Sequence, residues 1–430
     1  MTGRLTPFFI GLLAACAALG PLSMQIFLPS LPAIQASFAV STSIAQMTLS
    51  VSMIAIALAT LAYGPLSDRY GRRPVMILGL LVFFVGTLIC ILAPTIWVLV
   101  FGRIVQAAGG AVGMVLSRAI IRDVYGPEQA AKVIATLTMV LVSAPMLAPA
   151  IGGVLQDLFD WRSTFVFAGL VSLVVFVLML RELQETNRSQ IPFAGVTDMV
   201  RGFGRLLQSP AYCGYAFHAA FSSMVFFSFI SAAPYVMVNV MGRPPTEYGL
   251  YFIMVTFGFM CGNFVTSRLS IRVGINRLIV IGSGCAVVGL GIAYGFLWQG
   301  ILTPLSLFVP VMITIFGNGM AMPNTQAGAI NVFPHMAGTA SGLSGFLQMA
   351  IAAVASQTVA IFHDGTAFPM LHFMMAGVIL SIIAIAIGFR FGSLNERVTL
   401  SITSTDANAL SAVNRKNRTG DKARLVGGQK

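Results

Sequence analysis

Charged residues are scarce in this chain of 430 residues: Asp, Glu, Lys and Arg make up 9% of it, against 57% hydrophobic residues. A soluble globular protein carries roughly 25% charged residues, because its core needs a polar shell around it. This chain has too few charged residues to build such a shell, which excludes a soluble enzyme, a nucleic-acid-binding protein and a disordered protein. Lipid is therefore the expected solvent for most of the chain.

The residues of catalytic and metal chemistry are also few. Only four His and five Cys occur, with no metal-ligand spacing and no Ser–His arrangement, so we do not expect an enzyme, a metal site or a cofactor. The cysteines fall in or beside apolar segments, which predicts buried small hydrophobic side chains rather than disulfides. No charged ring or filter-like repeat indicates a channel.

Long apolar segments are abundant instead. A helix needs about 20 apolar residues to cross a hydrocarbon core of about 30 Å, and lipid cannot hydrogen-bond an unpaired backbone, so helices are expected. The predicted fold is an all-α integral membrane protein with twelve transmembrane helices in two six-helix bundles. The twelve segments are 7–28, 44–64, 75–93, 96–118, 132–156, 164–180, 211–236, 248–266, 278–297, 303–323, 338–361 and 368–389.

Arginine and lysine fall on one side of these segments. If the N-terminus is cytoplasmic, the outer loops contain only Arg162 and Arg243, and Arg103 stays inside a span. Lys and Arg concentrate in cytoplasmic loops of membrane proteins, so both termini are expected in the cytoplasm. Most of the net charge of +12 is thus assigned to topology and the lipid surface, and no nucleic-acid partner is expected.

The polarity of the chain also divides it into parts. We expect an N-terminal bundle at 1–180, a cytoplasmic linker at 181–209, a C-terminal bundle at 210–392 and a disordered basic cytoplasmic tail at 393–430. The two halves echo each other, because the shift that lays Arg69-Tyr70-Gly71 over Arg272-Val273-Gly274 also lays Pro7 on Pro210. Repeated halves place a substrate site between them, near the membrane midplane.

The loop at 64–73 reads Gly-Pro-Leu-Ser-Asp-Arg-Tyr-Gly-Arg-Arg. Asp68 is an acid at a membrane boundary, and it can pair with an arginine or with the positive N-terminus of another helix. A pairing present in only one conformation favours that conformation. The simpler alternative is a loop that only fixes topology. The predicted cytoplasmic gate consists of Gly64, Asp68, Arg69, Gly71, Arg72 and Arg73.

Arg103 is the one basic residue deep in a span. A cation at that depth costs about 3 kcal/mol or more, so its side chain should face the protein interior and have a partner. It is a candidate for coupling or substrate binding together with Gln106. The alternative is a structural arginine satisfied by backbone carbonyls.

These motifs resemble those of a known family. The loop at 64–73 resembles the signature loop of the major facilitator superfamily, and the resemblance covers about residues 5 to 392. Further segments resemble its drug:proton antiporter branch with twelve spans, and within it the Bcr/CflA family of multidrug efflux proteins. They are Leu-Pro-Ser-Leu-Pro-Ala-Ile at 28–34, Arg-Ile-Val-Gln at 103–106 followed by Gly109-Gly110, Ala-Pro-Ala-Ile-Gly-Gly at 148–153, Phe-Pro-His at 333–335 and Gly-Thr-Ala-Ser at 338–341.

The resemblance implies a monomeric exporter of small, amphipathic, drug-like compounds in a bacterial inner membrane. It would work by alternating access in exchange for protons, with the proton gradient as its energy source. Its expected partners are the small-molecule substrate, protons and membrane lipid. In the segment at 148–153, Pro149 interrupts a helix while Gly152 and Gly153 allow another helix to approach. The resemblance favours an outer hinge there over ordinary Gly and Pro content.

The sequence departs from this family at Gln25, where relatives usually have an Asp before the Leu-Pro of the first span. Gln cannot take up a proton, and no other Asp or Glu lies deep in a span. His218 could carry the proton instead, since its ordinary pKa is about 6.5, or Asp157 or Asp123 could do so as the helices move. The chain could also be uncoupled, as an uptake carrier or a proton-independent facilitator for a small metabolite.

An Arg103 without a fixed counter-ion would also favour neutral or anionic solutes over lipophilic cations. The remaining polar residues in spans either line a cavity or form hydrogen bonds between helices, which are worth about 0.6 kcal/mol each. They are Gln25, Gln106, Asn263, Asn318, Asn324, Gln348 and Gln357.

Overall fold

A computed structural model describes residues 6–187 and 196–391, and the predicted tail at 393–430 lies outside this range. The described residues form thirteen α-helices, which confirms the all-α membrane fold. Eleven helical segments are long and apolar enough to cross a membrane, and Met146–Leu158 is a shorter apolar helix. The helices are α1 (Pro7–Gln25), α2 (Leu31–Phe38), α3 (Thr42–Tyr70), α4 (Arg72–Ile91), α5 (Ile96–Leu158), α6 (Trp161–Glu182), α7 (Val196–Leu207), α8 (Pro210–Tyr235), α9 (Pro245–Val273), α10 (Ile275–Trp298), α11 (Pro304–Val332), α12 (Ala337–Ile361) and α13 (Phe368–Phe391).

Helix α5 accounts for two of the predicted spans. Its 63 residues would measure about 95 Å if straight, about three times the hydrocarbon core. Arg103 and Gly152 nevertheless both contact the end of α1: Arg103 Nη1 donates to Ser23 O at 3.1 Å, and Gly152 packs on Ile26 O. A straight helix would hold these two residues about 70 Å apart. The helical backbone therefore reverses between them.

The helix starts follow from their capping residues. The side-chain oxygens of Ser41, Thr95 and Asp160 accept the backbone N–H three residues on, at the starts of α3, α5 and α6. At the start of α11, Thr303 and Ser306 cap each other reciprocally. Such caps satisfy backbone donors that have no partner within the helix. These four helices thus begin directly after a short polar side chain that caps them, whereas α4 and α10 begin directly after a glycine.

The two ends of the bundle differ in charge. We call the end with segments 64–73, 180–187 and 268–277 the basic end, and the end where α3, α6 and α9 begin the opposite end. The sequence predicts that the basic end is cytoplasmic.

The buried apolar side chains show where the two halves meet. The largest cluster lies toward the opposite end and joins residues of both halves, for example Phe27 and Leu49 with Phe229, Tyr248 and Phe308. Two further clusters lie toward the basic end, and each contains residues of one half only. Apolar burial therefore joins the halves at the opposite end, and each half packs separately toward the basic end.

Candidate functional site

The predicted gate loop is helical up to Tyr70, as the last turns of α3, and it folds around Arg72 at the start of α4. Its Nη1 donates to Asp68 Oδ1 and to Ser67 Oγ, both at 2.6 Å, and its Nε donates to Asp123 Oδ2 at 2.9 Å. The Arg72 side chain is 7% exposed, so the paired carboxylates offset a buried charge. Gly71 has a φ of 97°, the left-handed region that favours glycine, and it turns the chain from α3 into α4. Asp68 thus pairs with an arginine of its own loop.

The gate loop is also held by the segment that follows α6. Arg73 Nε donates to Leu183 O at 2.8 Å and Nη2 to Leu180 O at 3.2 Å, which places a cation on the C-terminal carbonyls of α6. The Glu185 carboxylate accepts the backbone N–H groups of Arg72 and Arg73 at 2.9 and 3.1 Å. A carboxylate at the start of α4 is favourable, because the N–H groups there have no other partner.

Asn187 completes this contact, since its Nδ2 donates to Asp68 O at 2.9 Å. A side chain at Gly71 would overlap the Glu185 carboxylate, so the glycine also makes room for it. The sequence predicts a plain linker from residue 181 and does not indicate Glu185 or Asn187 as binding residues. The available indication that they bind the gate loop was their position, directly after α6 and opposite that loop.

Like Arg73 of the same gate loop, Arg69 is exposed. Its guanidinium lies over the ring of Tyr70, with 5.1 Å to the centroid, and within the described residues it makes no ion pair. Arg72, by contrast, pairs with two carboxylates, and Arg73 donates to two carbonyl oxygens. Gly64 has open space around its Cα, and nothing in its surroundings requires a glycine.

Arg103 is buried, with 1% of its surface exposed. Nε donates to Thr48 O at 3.2 Å, and Nη1 donates to Ser23 O at 3.1 Å and to Gln106 Oε1 at 2.5 Å. Gln106 Nε2 in turn donates to Thr87 Oγ1 at 2.8 Å. This chain of hydrogen bonds connects α1, α3, α4 and α5. The arginine is thereby held mainly by carbonyl oxygens, as in the structural alternative that the sequence leaves open.

Two aromatic rings cover the guanidinium of Arg103. Its carbon lies 4.2 Å from the ring centroid of Phe27 and 5.8 Å from that of Phe165, distances at which the ring face attracts a cation. Nη2 has no hydrogen-bond partner, and neither has the buried Gln25 Oε1. Among the described residues, no carboxylate pairs with Arg103.

His218 lies in the other half of the bundle. Its Nε2 is 3.2 Å from Ser283 Oγ and its Nδ1 is 3.1 Å from Thr325 Oγ1, so both ring nitrogens have partners on neighbouring helices. The structure therefore does not bring His218 together with Arg103. The four predicted coupling residues form one connected pair, Arg103 with Gln106, and two separate positions.

Several candidate cavity residues form hydrogen bonds to the helix backbone. Asn263, Asn324 and Gln348 donate to carbonyls of their own helices. Asn318 donates to Ser222 O on α8 at 3.2 Å. Asn318 and Asn324, which also donates to Thr266 Oγ1 on α9 at 3.3 Å, thus form hydrogen bonds between helices, whereas the bonds of Asn263 and Gln348 favour neither alternative.

At the opposite end, two amide–hydroxyl pairs join the halves. Gln46 Nε2 donates to Ser356 Oγ at 2.7 Å, and Ser50 Oγ donates to Gln357 Oε1 at 2.7 Å. Gln357 Nε2 also donates to Ser43 O at 2.9 Å. These bonds connect α3 with α12, and none of the side chains is charged. We call them, with the contact of α5 and α9 described next, the interhalf seal.

Asp157 makes the other polar contact of the interhalf seal. Its Oδ2 accepts the backbone N–H of Thr246 at 2.9 Å and also the Thr246 hydroxyl. Thr246 is in the first turn of α9, so a carboxylate from one half caps a helix of the other half. The contact can persist only while α5 and α9 stay together.

The predicted outer hinge lies at the same crossing. A Cβ on Gly153 would be 2.6 Å from Pro245 O, and one on Gly249 would overlap Pro149 O. Gly152 packs directly on the backbone of α1. These glycines let the helix backbones touch, which keeps the opposite end closed. Whether the chain bends at Pro149 stays a prediction.

The two helical halves are joined at one end by polar contacts that a rocking motion would break. This is the architecture of a membrane transporter. The family model for the Major Facilitator Superfamily matches residues 13–357. The chain belongs to this superfamily, whose members are transporters and not enzymes.

Named relatives narrow the comparison. The chain is 30% identical over 382 residues to the bicyclomycin resistance protein homolog of Haemophilus influenzae, covering 88% of this chain and 95% of that protein. It is 27% identical over 337 residues to multidrug resistance protein D of Escherichia coli, covering 78% and 84%. Both are consistent with the Bcr/CflA drug:proton antiporter branch.

Solved structures show the same fold. A bacterial homolog of the human lysosomal transporter Spinster, in an inward-facing and occupied conformation, superposes with a TM-score of 0.70. The match covers 91% of this chain and 98% of that one, at 17% sequence identity. At this identity, the similarity concerns the fold alone.

Proposed function

We propose that this protein exports small, amphipathic, drug-like compounds across a bacterial inner membrane by alternating access, in exchange for protons. The observation that carries the proposal is the interhalf seal, which joins the halves at the opposite end while the charged gate loop pairs within its own half. The names of the two relatives support drug efflux as the direction and substrate class.

The contacts of the seal suit a reversible closure. Two neutral amide–hydroxyl pairs are each worth about 1 kcal/mol net, and a helix cap contributes about the same. Differences of this size can be overcome by substrate or proton binding, since coupling free energies are typically 1–3 kcal/mol. At the other end, opening and closing would exchange the partners of Asp68.

The proton would be carried by one of three groups. His218 has both ring nitrogens bonded within its own half, and Asp123 is bonded to Arg72. Asp157 differs from both, because its partner Thr246 belongs to the other half and leaves when the seal opens. We therefore favour Asp157 among the three candidates.

Transport by liposomes containing the purified full-length protein tests the proposal. Vesicles loaded with ethidium or chloramphenicol should release them several-fold faster into an acidic medium, and a dye inside should report proton entry only when substrate is present. Gln25→Asp restores the carboxylate of the family and should increase the response to the pH gradient, whereas Gln25→Asn, of the same size, should not.

The same experiment also tests the alternative that the protein is a proton-independent facilitator. Gln25 favours that alternative, because it removes the usual carboxylate from the first span. Release of substrate at the same rate with and without a pH gradient would refute proton exchange. An absence of any substrate movement would refute drug export itself.

A further inference from the structure

An apolar groove of about 390 Å³ follows the basic half of α3. Its lining residues on α3 are spaced three or four apart, so they share one side of the helix, and α7 forms the facing wall. The lining residues are Leu58, Leu61, Ala62, Pro65, Leu66, Arg69 and Tyr70 of α3 with Met199 of α7.

The groove leaves part of α3 exposed beside α12. In the interhalf seal α3 is bonded to α12, and farther along a Cβ on Gly342 of α12 would still be 3.7 Å from Leu61. Leu58 is 56% exposed and Leu66 is 41% exposed. Large apolar side chains therefore line a gap that no helix of the described residues fills.

Arg69 lies at the basic end of this groove. Arg72 takes the carboxylates of Asp68 and Asp123, and Arg73 takes the carbonyls that end α6. Arg69 contacts only the ring of Tyr70 among the described residues. The groove therefore presents one unpaired cation and an aromatic hydroxyl at one end and apolar side chains along its length.

We propose that the groove binds an anionic phospholipid of the inner leaflet, with its phosphate at Arg69 and an acyl chain along α3. This rests on the orientation in the proposed function, which makes the basic end cytoplasmic. From Leu58 to Arg69 the helix rises about 16 Å, about half of a roughly 30 Å hydrocarbon core. The groove thus matches one leaflet in length, with its cation and tyrosine at headgroup depth.

The bound lipid has a consequence for the transport cycle. Closing the basic end requires α3 to approach α12 along the side that lines the groove. A lipid in the groove occupies that space and stabilises the conformation in which the opposite end is closed. The lipid must leave the groove before the basic end can close.

Native mass spectrometry of the purified full-length protein tests the lipid site. The probes are dioleoyl phosphatidylglycerol and dioleoyl phosphatidylcholine, which share acyl chains and differ in headgroup charge. One arginine near an anionic surface is worth about 1 kcal/mol, or about fivefold at 1.4 kcal/mol per decade. Arg69→Gln should lower the preference for phosphatidylglycerol by about that factor.

The matched control is Arg272→Gln, the exposed arginine at the equivalent position of α9, which should leave the preference unchanged. Ala62→Trp fills the groove and should reduce retention of both lipids. Equal losses in the two arginine variants, or full lipid retention in Ala62→Trp, would overturn the proposal. So would binding of an anionic dye such as fluorescein in the groove with no phospholipid.

The lipid measurement is independent of transport. A normal phosphatidylglycerol preference in a protein that moves no substrate would refute only the proposed function. Active export with no phosphatidylglycerol preference would refute only the lipid site.

Discussion

Arg103 shows how a buried cation is stabilised without a carboxylate. Its insertion costs about 3 kcal/mol, while each hydrogen bond from a charged donor contributes about 1.5–3 kcal/mol. Arg103 makes three such bonds, to Thr48, Ser23 and Gln106, and lies on two aromatic rings. These contacts offset the cost of burial.

Replacing Arg103 should therefore reduce both stability and transport. Arg103→Lys keeps the charge but lacks the planar fork that reaches three acceptors, and it should lower the free energy of unfolding by about 1–3 kcal/mol. Chemical denaturation of the detergent-solubilised protein measures this. Arg162→Lys is the control, since among the described residues Arg162 makes one hydrogen bond, to Ala93 O, and lies over one ring, that of Trp161, and should lose less.

The substrate preference of Arg103 is a separate prediction. Without a counter-ion, Arg103 should favour neutral or anionic solutes, so Arg103→Ala should reduce chloramphenicol efflux more strongly than ethidium efflux. Efflux of both compounds from loaded liposomes measures the ratio. Ethidium export that survives Arg103→Ala, with no transport of chloramphenicol or of an anion, would contradict the prediction.

The sequence predicts that Arg103 faces the protein interior, because a cation at that depth in a span is costly in lipid. It does not predict the partners, because Ser23 and Thr48 contribute backbone carbonyls, which every residue carries. Likewise, Gln46 and Ser356 are unremarkable polar residues until the fold brings them together.

Among the elements, α5 caps the start of α9, a helix of the other half, through Asp157. Asp157→Ala removes a cap worth about 1 kcal/mol, which should shift the population toward an open opposite end about fivefold. Double electron–electron resonance between spin labels at Leu158 and Arg243, two exposed positions at this end, measures the shift. Asp160→Ala removes a cap within one half and should produce no such shift.

The close crossing at Gly153 makes a second prediction for this contact. Gly153→Ala places a Cβ 2.6 Å from Pro245 O, so α5 and α9 must separate and the opposite end cannot close fully. We expect drug efflux to fall about tenfold, measured in cells at matched expression. Gly284→Ala is the control, because a Cβ there meets nothing within 4 Å; an equal loss in that variant would contradict the prediction.

Helix length and number are the element-scale features that the sequence predicts best. Apolar length and lipid solvation fix the spans, and these physical requirements leave little freedom. The helix α7 in the linker was missed, because its alternation of apolar and polar residues is too short to distinguish from a polar connector. The continuous helical backbone between the fourth and fifth predicted spans was also missed, because the short segment between them could not be distinguished from a polar connector.

For the whole molecule, alternating access requires the interhalf seal to open once in every cycle. Cysteines in place of Gln46 and Ser356, in a background without the native cysteines, should be cross-linked by an oxidant or by mercuric ion and stop transport. Reduction should restore it. Each single-cysteine variant serves as a control, and full transport in the cross-linked protein would refute rocking of the two halves.

The two-fold organisation was visible in the sequence as matching spans and as the echo of residues 69–71 at 272–274. The domain boundaries and the orientation of the termini stay predictions. The asymmetry between the two ends could not be predicted, because it depends on which of two conformations the helices adopt.

The bonds between α3 and α12 in the seal involve only uncharged groups. Dissolved ions screen exposed charges over a distance of about 8 Å at 0.15 M ionic strength, but they have little to act on in amide–hydroxyl pairs. The salinity of the medium outside the cell should therefore barely change how firmly this part of the seal holds. The membrane voltage should likewise do no work when these bonds part, since no net charge moves with them.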